Sequence, residues 1–269
     1  MKQLKSTHSD LRLLFERSIT LKHIAEPLRC FASSDSAADA LNYMEDQKFD
    51  VLGVTSRGVV SGYVQRSIPA RGKVADYVTP FAQRGDIADE NSPLAEVFNL
   101  LGPRSRIFVT TRETVTKIVT RGDLQKAPVR MWLFGLVSLI EMHFLRLVRQ
   151  YEDSEQWWFP LVGRSGLKNA RGILADRQRR NQQIDLADCL EFPQKATILL
   201  KTPPLASVAG LKRGRPGARL IRRLTELRNN LAHANDIITG YWPGITDLVR
   251  DAEALLSSCE RADARIKPV

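Results

Sequence analysis

The sequence predicts an α+β fold in two parts: a mixed front half built from two similar units, and an all-helical back half. Three observations carry this. A chain of 269 residues has room for one or two ordinary hydrophobic cores. Its front half repeats its own pattern at an offset of about 55 residues. Beyond Ala127-Pro128 the strand-like alternation stops and apolar residues recur at helical spacing. The expected boundaries are an N-terminal helix over 1–19, a repeat pair over 20–128 dividing into 20–69 and 70–128, and a helical domain over 129–265.

In the first repeat, Ser36 to Met44 has the apolar spacing of an amphipathic helix, and Phe49 to Val54 reads as a strand. Ser56-Arg57-Gly58 reads as a turn and Val59 to Val64 as the returning strand. The second repeat keeps this order: Ser92 to Leu100 is the helix, Arg106 to Thr110 the strand, Thr111-Arg112-Glu113 the turn and Thr114 to Val119 the return. Ahead of each stands a short segment closed by proline, Leu21 to Pro27 and Val74 to Pro80, while Asp123 to Ala127 closes the second repeat as a short helix. The back half opens with a helix over Met131 to Val148, and further helices are expected near 154–162, 166–181, 184–191, 193–201, 217–234 and 244–262. Pro160, Gly163, Pro203-Pro204, Gly214 to Gly217 and Pro243-Gly244 punctuate the joins. The greasiest run, Met131 to Ile140, is about half the length a bilayer span requires. Glu141, His143 and Arg146 follow it directly, so a buried helix is expected and no membrane partner.

With 43% hydrophobic and 26% charged residues, the chain is neither disordered nor fibrous. Cys30, Cys189 and Cys259 stand far apart, without a CxxC pair or a suitably spaced His. That excludes a zinc finger and a disulfide scaffold, and no metal is expected. The N-terminus lacks the apolar core of a signal peptide, so a cytoplasmic location with reduced thiols is expected. The formal charge is +10, and the stretch from Arg164 to Arg228 holds 15 basic against 5 acidic side chains, which leaves the rest neutral in sum. Such a concentration attracts a polyanion, with nucleic acid the leading candidate, although a merely solvated basic face looks the same. Lys212, Arg213, Arg215, Arg219, Arg222 and Arg223 are the candidate RNA contacts within it, of a kind that is salt-sensitive and indifferent to sequence. Arg213-Gly-Arg-Pro216 also has the form of an AT-hook core, but an interhelical turn explains the same Gly and Pro. Trp157 and Trp158 fit a core or interface better than a base-stacking platform.

On the repeat order quoted above, residues 20 to 128 resemble a tandem CBS-domain pair. The resemblance implies a pseudo-symmetric α+β unit, often dimeric, that often binds an adenine nucleotide in a cleft between its repeats. In that family a repeat ends in Gly, two apolar residues, Thr or Ser, two free residues and Asp. Here the second repeat supplies Lys117-Ile-Val-Thr120-Arg121-Gly-Asp123, with Lys117 in place of the family glycine. Thr120 and Asp123 would present a hydroxyl and a carboxylate to the ribose, and Arg121 would meet a phosphate. The same Thr-x-x-Asp pattern is also an ordinary helix cap. In the first repeat Gln65 and Ile68 hold these positions, so at most one working nucleotide site per chain is implied.

Leu227-Arg228-Asn229-Asn230-Leu231-Ala232-His233 resembles the Arg-polar-x-x-x-His signature of the HEPN family, whose members are helical bundles that commonly dimerise and often cleave RNA without a metal. At about 100° per residue, Leu220, Leu224, Leu227 and Leu231 form one apolar stripe. Asn229 then points outward, with Arg228 and His233 on either side of it, about 140° apart. Two copies packing these faces together would give a composite site across a homodimer. Histidine titrates near neutrality, so His233 would act as general acid and base. Arg228 would stabilise the scissile phosphate and Asn229 would orient it. The resulting expectation is a metal-independent endoribonuclease controlled by an adenine nucleotide, in a defence or stress response. The alternative is a non-catalytic nucleic-acid- or protein-binding regulatory module, in which His233 caps a helix end and Arg228 is a surface charge.

Overall fold

The computed structural model describes residues 13, 17–81, 85–152, 156–233, 235–238 and 242–265, and most of the helix expected over 1–19 lies outside them. The chain divides into two units, Met1–Val129 and Arg130–Val269.

The first unit runs β1 (Glu26–Pro27), β2 (Cys30–Ala32), α1 (Ala37–Gln47), β3 (Val51–Ser56), β4 (Val59–Gln65) and β5 (Thr79–Pro80). It then runs β6 (Ile87–Asp89), α2 (Glu96–Leu101), β7 (Arg106–Thr111) and β8 (Thr114–Thr120). Ser36 opens α1 by accepting from the Asp39 amide, and Lys48, in the left-handed region, closes it. Both hairpins turn on two residues of positive φ, Arg57-Gly58 and Arg112-Glu113, which matches the right-handed twist of their strands. The ladders slip at equivalent places, Val54/Thr55 and Val109/Thr110. The second helix starts at Glu96 rather than Ser92: Pro93 is held in an isolated bridge with Thr20, and the Glu96 and Val97 amides donate to carbonyls three residues back, at Pro93 and Leu94.

These strands form two four-stranded sheets, ordered β2-β3-β4-β5 and β1-β8-β7-β6. Each sheet takes three strands from one repeat and its edge from the segment leading into the other. Pro27 of β1 lies opposite Lys117, and Pro80 of β5 lies opposite Gly62. An edge strand tolerates proline because no neighbour needs its missing N–H. A Cβ on Gly62 would stand 2.5 Å from the Thr79 carbonyl oxygen, so only glycine lets β5 close onto β4 there. The expected helix–strand–hairpin–strand repeat omitted β2 and β6, which pair in parallel with β3 and β7. Ala40, Met44, Leu52, Val54, Val64 and Val74 form the first repeat's core. Phe108 joins the repeats, with its ring centroid 4.9 Å from that of Tyr63 and 4.7 Å from that of Phe81.

Helix α3 (Ala127–Tyr151) follows, then α4 (Phe159–Val162), α5 (Arg164–Arg179), α6 (Phe192–Lys201), α7 (Pro203–Val208), α8 (Arg215–Ala232) and α9 (Trp242–Arg265). The helix expected near 184–191 is only a short tight turn over Ala187–Cys189. Pro203-Pro204, expected at a join, stands just after the end of α6 and opens α7, a short helix the sequence did not announce, since proline is tolerated in a first turn whose N–H groups are unpaired anyway. By length and composition alone α3 suffices to cross a membrane, with a mean hydropathy of 1.6 over its most apolar stretch. Yet 56% of that stretch is buried inside the protein, through Trp132, Leu133, Leu136, Val137, Ile140 and Phe144 among others. Phe144 stacks on Phe192 of α6 at 5.9 Å, as befits a core helix.

Candidate functional site

Pairing of β1 with β8 helps bring five separate stretches of the first unit around one cleft of about 1110 Å³. Its walls are Glu26 to Arg29, Lys48 to Val51, Gln65 to Ser67, and Ser105-Arg106 with Ile118 and Thr120 to Asp123. Arg29, Lys48, Arg66, Arg106 and Arg121 face Glu26, Asp50 and Asp123, so cations predominate on the lining. Arg66 is paired with Asp50 at 2.7 Å, and the Arg106 guanidinium lies 5.7 Å from the centroid of the Tyr63 ring.

Thr120 and Asp123 line this cleft, and they also make the cap that the Thr-x-x-Asp pattern allows. The Thr120 amide and hydroxyl both donate to Asp123 Oδ2, at 2.7 and 2.9 Å. Lys126 Nζ contacts the other oxygen, Oδ1, at 2.8 Å. It also donates to the Ile24 carbonyl at 2.6 Å and pairs with Glu26. A carboxylate has about four acceptor positions, so these three contacts leave room for one further donor. Burial alone would pull Lys126 down, but the hydrogen bonds and charges of Asp123 and Glu26 outweigh it and hold the ammonium above the ordinary lysine value. Arg121, the expected phosphate contact, lines the cleft and donates through Nε to the Arg104 carbonyl at 3.1 Å.

The register confirms which residues correspond between repeats, because Gly62 and Lys117 each oppose the proline of an exchanged edge strand. Counting on, Gln65 matches Thr120 and Ile68 matches Asp123. Gln65 reaches the cleft, but Ile68 packs onto the first core, so the first repeat has no carboxylate at the position equivalent to Asp123. Lys117, which replaces the motif's glycine, pairs with Glu90 at 2.7 Å. The hydrogen bond from Lys117, followed by one from Thr111, holds the Glu90 carboxyl below its ordinary value of 4.5. That stabilisation is complete above about pH 4.5 and is lost as pH falls through the lowered folded value. Acid unfolding should thus reveal it: the Glu90→Gln protein is expected to lose less stability than wild type across that range, and matching slopes would refute the pairing.

In the second unit, Gly214 at φ 73° precedes α8 and Pro216 sits in its first turn. Gly217 lies so close to the Lys212 carbonyl oxygen that a Cβ would stand 2.0 Å from it. The buried residues of α8 are Gly217, Ile221, Leu224 and Leu227. Of the expected stripe, Leu224 and Leu227 are buried while Leu220 and Leu231 are only half-buried, and next to Leu220 it is Ile221 that turns inward. Arg228 is half-buried on the flank of this stripe, its Nε 3.9 Å from Glu141 Oε2 of α3. The other Glu141 oxygen takes the Lys195 ammonium of α6 at 2.7 Å, and Lys195 is only 5% exposed. Asn229 and His233 are exposed.

The final carbonyls of α8 have another cation. Arg130 donates to the Asn230, Leu231 and Asn235 carbonyls at 2.8, 3.2 and 2.8 Å. The C-terminal cap thus has a guanidinium already, and the His233 side chain is not required for it. Of the expected RNA contacts, Lys212, Arg213, Arg215, Arg219 and Arg222 are exposed, with Arg222 lying 4.0 Å from Glu226. Arg223 is turned inward, donating to the Gly244 carbonyl and so tying α8 to α9. Trp158 is buried, and Trp157 is half-buried beside Tyr151 at 4.9 Å. Among the described residues, no cluster of three or more His, Cys, Asp or Glu is arranged to hold a metal ion. Sequence reasoning missed Glu26, Arg29, Lys48, Arg66 and Arg106 at the cleft, Lys126 on Asp123, and the meeting of Glu141 and Lys195 beside Arg228, since no spacing links residues that only strand exchange or helix packing brings together.

Two sheets that trade edge strands around a charged cleft, followed by a helical unit, define an α+β unit joined to an all-α one. No family model matches the chain, and no curated protein matches it. Its N-terminal part is similar to solved CBS-domain structures. With CBSX2 in complex with AMP it shares 20% identity, over 42% of this chain and 97% of that one, at a TM-score of 0.35. A CBS domain pair/ACT domain protein from Thermotoga maritima shares 15% over 42% and 98%, also at 0.35. The CBS domain of the bacterial CNNM/CorC family Mg2+ transporter in complex with ATP shares 14% over 45% and 94%, again at 0.35.

Proposed function

We propose that this chain is a nucleotide-responsive regulator acting in the cytosol, in a defence or stress setting. Its CBS-like first unit binds an adenine nucleotide, and its HEPN-like second unit cuts RNA. The observation that carries the reading is the cation-rich cleft onto which Thr120, Arg121 and Asp123 open. Phosphates suit the cations, a ribose hydroxyl suits the remaining acceptor position of Asp123, and Phe49 offers an apolar wall to a base. Titration of the full chain with AMP, ADP and ATP by calorimetry tests it. Asp123→Asn keeps a capping side chain but removes the charge, and is expected to weaken binding about ten- to a hundredfold with little loss of fold. Absence of saturable binding by any of the three nucleotides overturns this half of the reading.

For the second unit, an exposed imidazole and a half-exposed guanidinium at one end of α8 support RNA cleavage, with the exposed cations of the same helix drawing the substrate in. His233 takes the proton from a 2′-hydroxyl, whose oxygen attacks the adjacent phosphorus. The bond to the 5′ oxygen breaks, and that oxygen receives a proton from the acid form of histidine. Arg228 stabilises the added charge on the phosphate and Asn229 orients it. The products are a cyclic phosphate and a 5′-hydroxyl, and no metal takes part. A homodimer would supply these groups from both copies. Helix α3 begins just after Lys126, the partner of Asp123, and carries Glu141, the partner of Arg228. A nucleotide that prefers one arrangement of α3 would therefore shift the site.

The Arg228–Glu141 contact favours a second reading, a non-catalytic RNA- or protein-binding module in which Arg228 serves the fold. Incubation of labelled structured RNA with the protein in EDTA separates the two. Cutting supports the enzyme, whereas binding without cutting, weakened by salt, supports the module.

A further inference from the structure

Helix α5 carries a charge pattern used neither by the cleft nor by the Arg228–His233 end of α8. Between Arg164 and Arg180 there are six cations and one carboxylate. At about 100° per residue, Arg164, Lys168, Arg171 and Arg179 fall in one sector about 80° wide, turned away from Gly166 and Ala170, which are buried. All four cations are exposed, and with a rise of 1.5 Å per residue they line a ridge roughly 22 Å long.

A solvated helix face gains stability when its signs are mixed, because residues three and four apart then attract one another. Here Arg164 and Lys168, and Lys168 and Arg171, are like-charged at those spacings, which destabilises the isolated helix. The single carboxylate, Asp176, is taken by Arg179 at 2.6 Å and leaves the other three cations unrelieved. Arg171 also lies over the Phe159 ring, 5.6 Å from its centroid. That contact orders the guanidinium and leaves its N–H edge for an acceptor. A self-repelling ridge becomes favourable when a polyanion neutralises it.

We infer that the outer ridge of α5 is a second RNA-binding surface, gripping backbone phosphates independently of the α8 cations. This rests on RNA being the polyanion that the second unit meets. Contacts of this kind hold a strand in place without reading its bases. The test is binding of a labelled single-stranded oligoribonucleotide, and of its duplex, to the full chain by fluorescence anisotropy over a range of salt, in a His233→Ala background that prevents cutting. The Arg164→Gln, Lys168→Gln, Arg171→Gln triple variant is expected to bind the single strand at least about tenfold more weakly, with the slope of log affinity against log salt reduced by about 2. Arg177→Gln, which removes a charge from another side of the helix, should change affinity by less than about twofold. The charge-keeping variant Arg164→Lys, Lys168→Arg, Arg171→Lys should stay within about threefold of wild type. An unaltered circular dichroism spectrum shows that any loss in the triple variant is not unfolding. If the triple variant keeps the parent's affinity and salt slope, the ridge is not a contact surface while the RNA reading stands. If the parent protein binds no RNA at all, that reading fails and takes the ridge with it.

Discussion

RNA incubated with the His233→Ala protein in EDTA is expected to survive about a hundred to ten thousand times longer than with wild type, because the proton transfers at both oxygens then fall to water. Arg228→Ala should cost a similar factor, about a hundred- to a thousandfold, by leaving the transition-state charge on phosphate unopposed. The double variant should be scarcely worse than either single, since the two groups act on one step. A sharper result comes from mixing the two inactive proteins and letting subunits exchange. A site that pairs the arginine of one copy with the histidine of the other recovers part of its activity in mixed dimers, whereas a site within one chain stays dead. Full activity in either variant alone sinks the catalytic assignment, and metal dependence points to a different enzyme in the preparation.

The second large effect concerns Lys195. Its ammonium is nearly sealed from solvent and its counter-charge is Glu141, which is itself only 22% exposed. Lys195→Ala strands that carboxylate with Arg228 as its remaining cation, 3.9 Å away. Fully buried pairs broken in this way cost about 3–5 kcal/mol. The residual exposure of Glu141 and its contact with Arg228 place the expected loss lower, at about 2–3 kcal/mol. All four tryptophans lie within Arg130–Val269, so urea unfolding followed by their fluorescence reports on the second unit alone. Combining Lys195→Met with Glu141→Gln should recover much of the loss, as removing both charges abolishes the desolvation penalty of each. Equal destabilisation by the single and double changes would mean the pair contributes only packing.

How far the residues announced these features differed from element to element. Both hairpins were readable because each strand has six or seven residues, enough for alternation to stand out against chance. The edge strands β1 and β5 have two residues each, too few for any period, and only their partners make them strands. The join at Pro203-Pro204 was readable but the short helix it opens was not, because proline signals an end and a beginning equally well. At the cleft, the local Thr120–Asp123 pattern was visible in advance, while Lys126 and Glu26 were not, since they meet across about a hundred residues of chain. Near Arg228 the helical wheel showed that the guanidinium lies to the side of the apolar stripe, but not that Glu141 and Lys195 stand there to receive it.

By itself, then, the order of amino acids settled what depends on neighbours along the chain: the repeat, the hairpin turns, the helix spacing, the capping turn at Thr120 and the concentration of cations after residue 164. Tertiary structure alone decided which repeat each proline-closed edge joins, which charges share the cleft, and that Arg228 leans on Glu141 while Arg130 caps the end of its helix. The physical reason is range. Backbone geometry and side-chain periodicity act over a few residues, whereas ion pairs and strand exchange depend on which distant surfaces the burial of apolar area brings together.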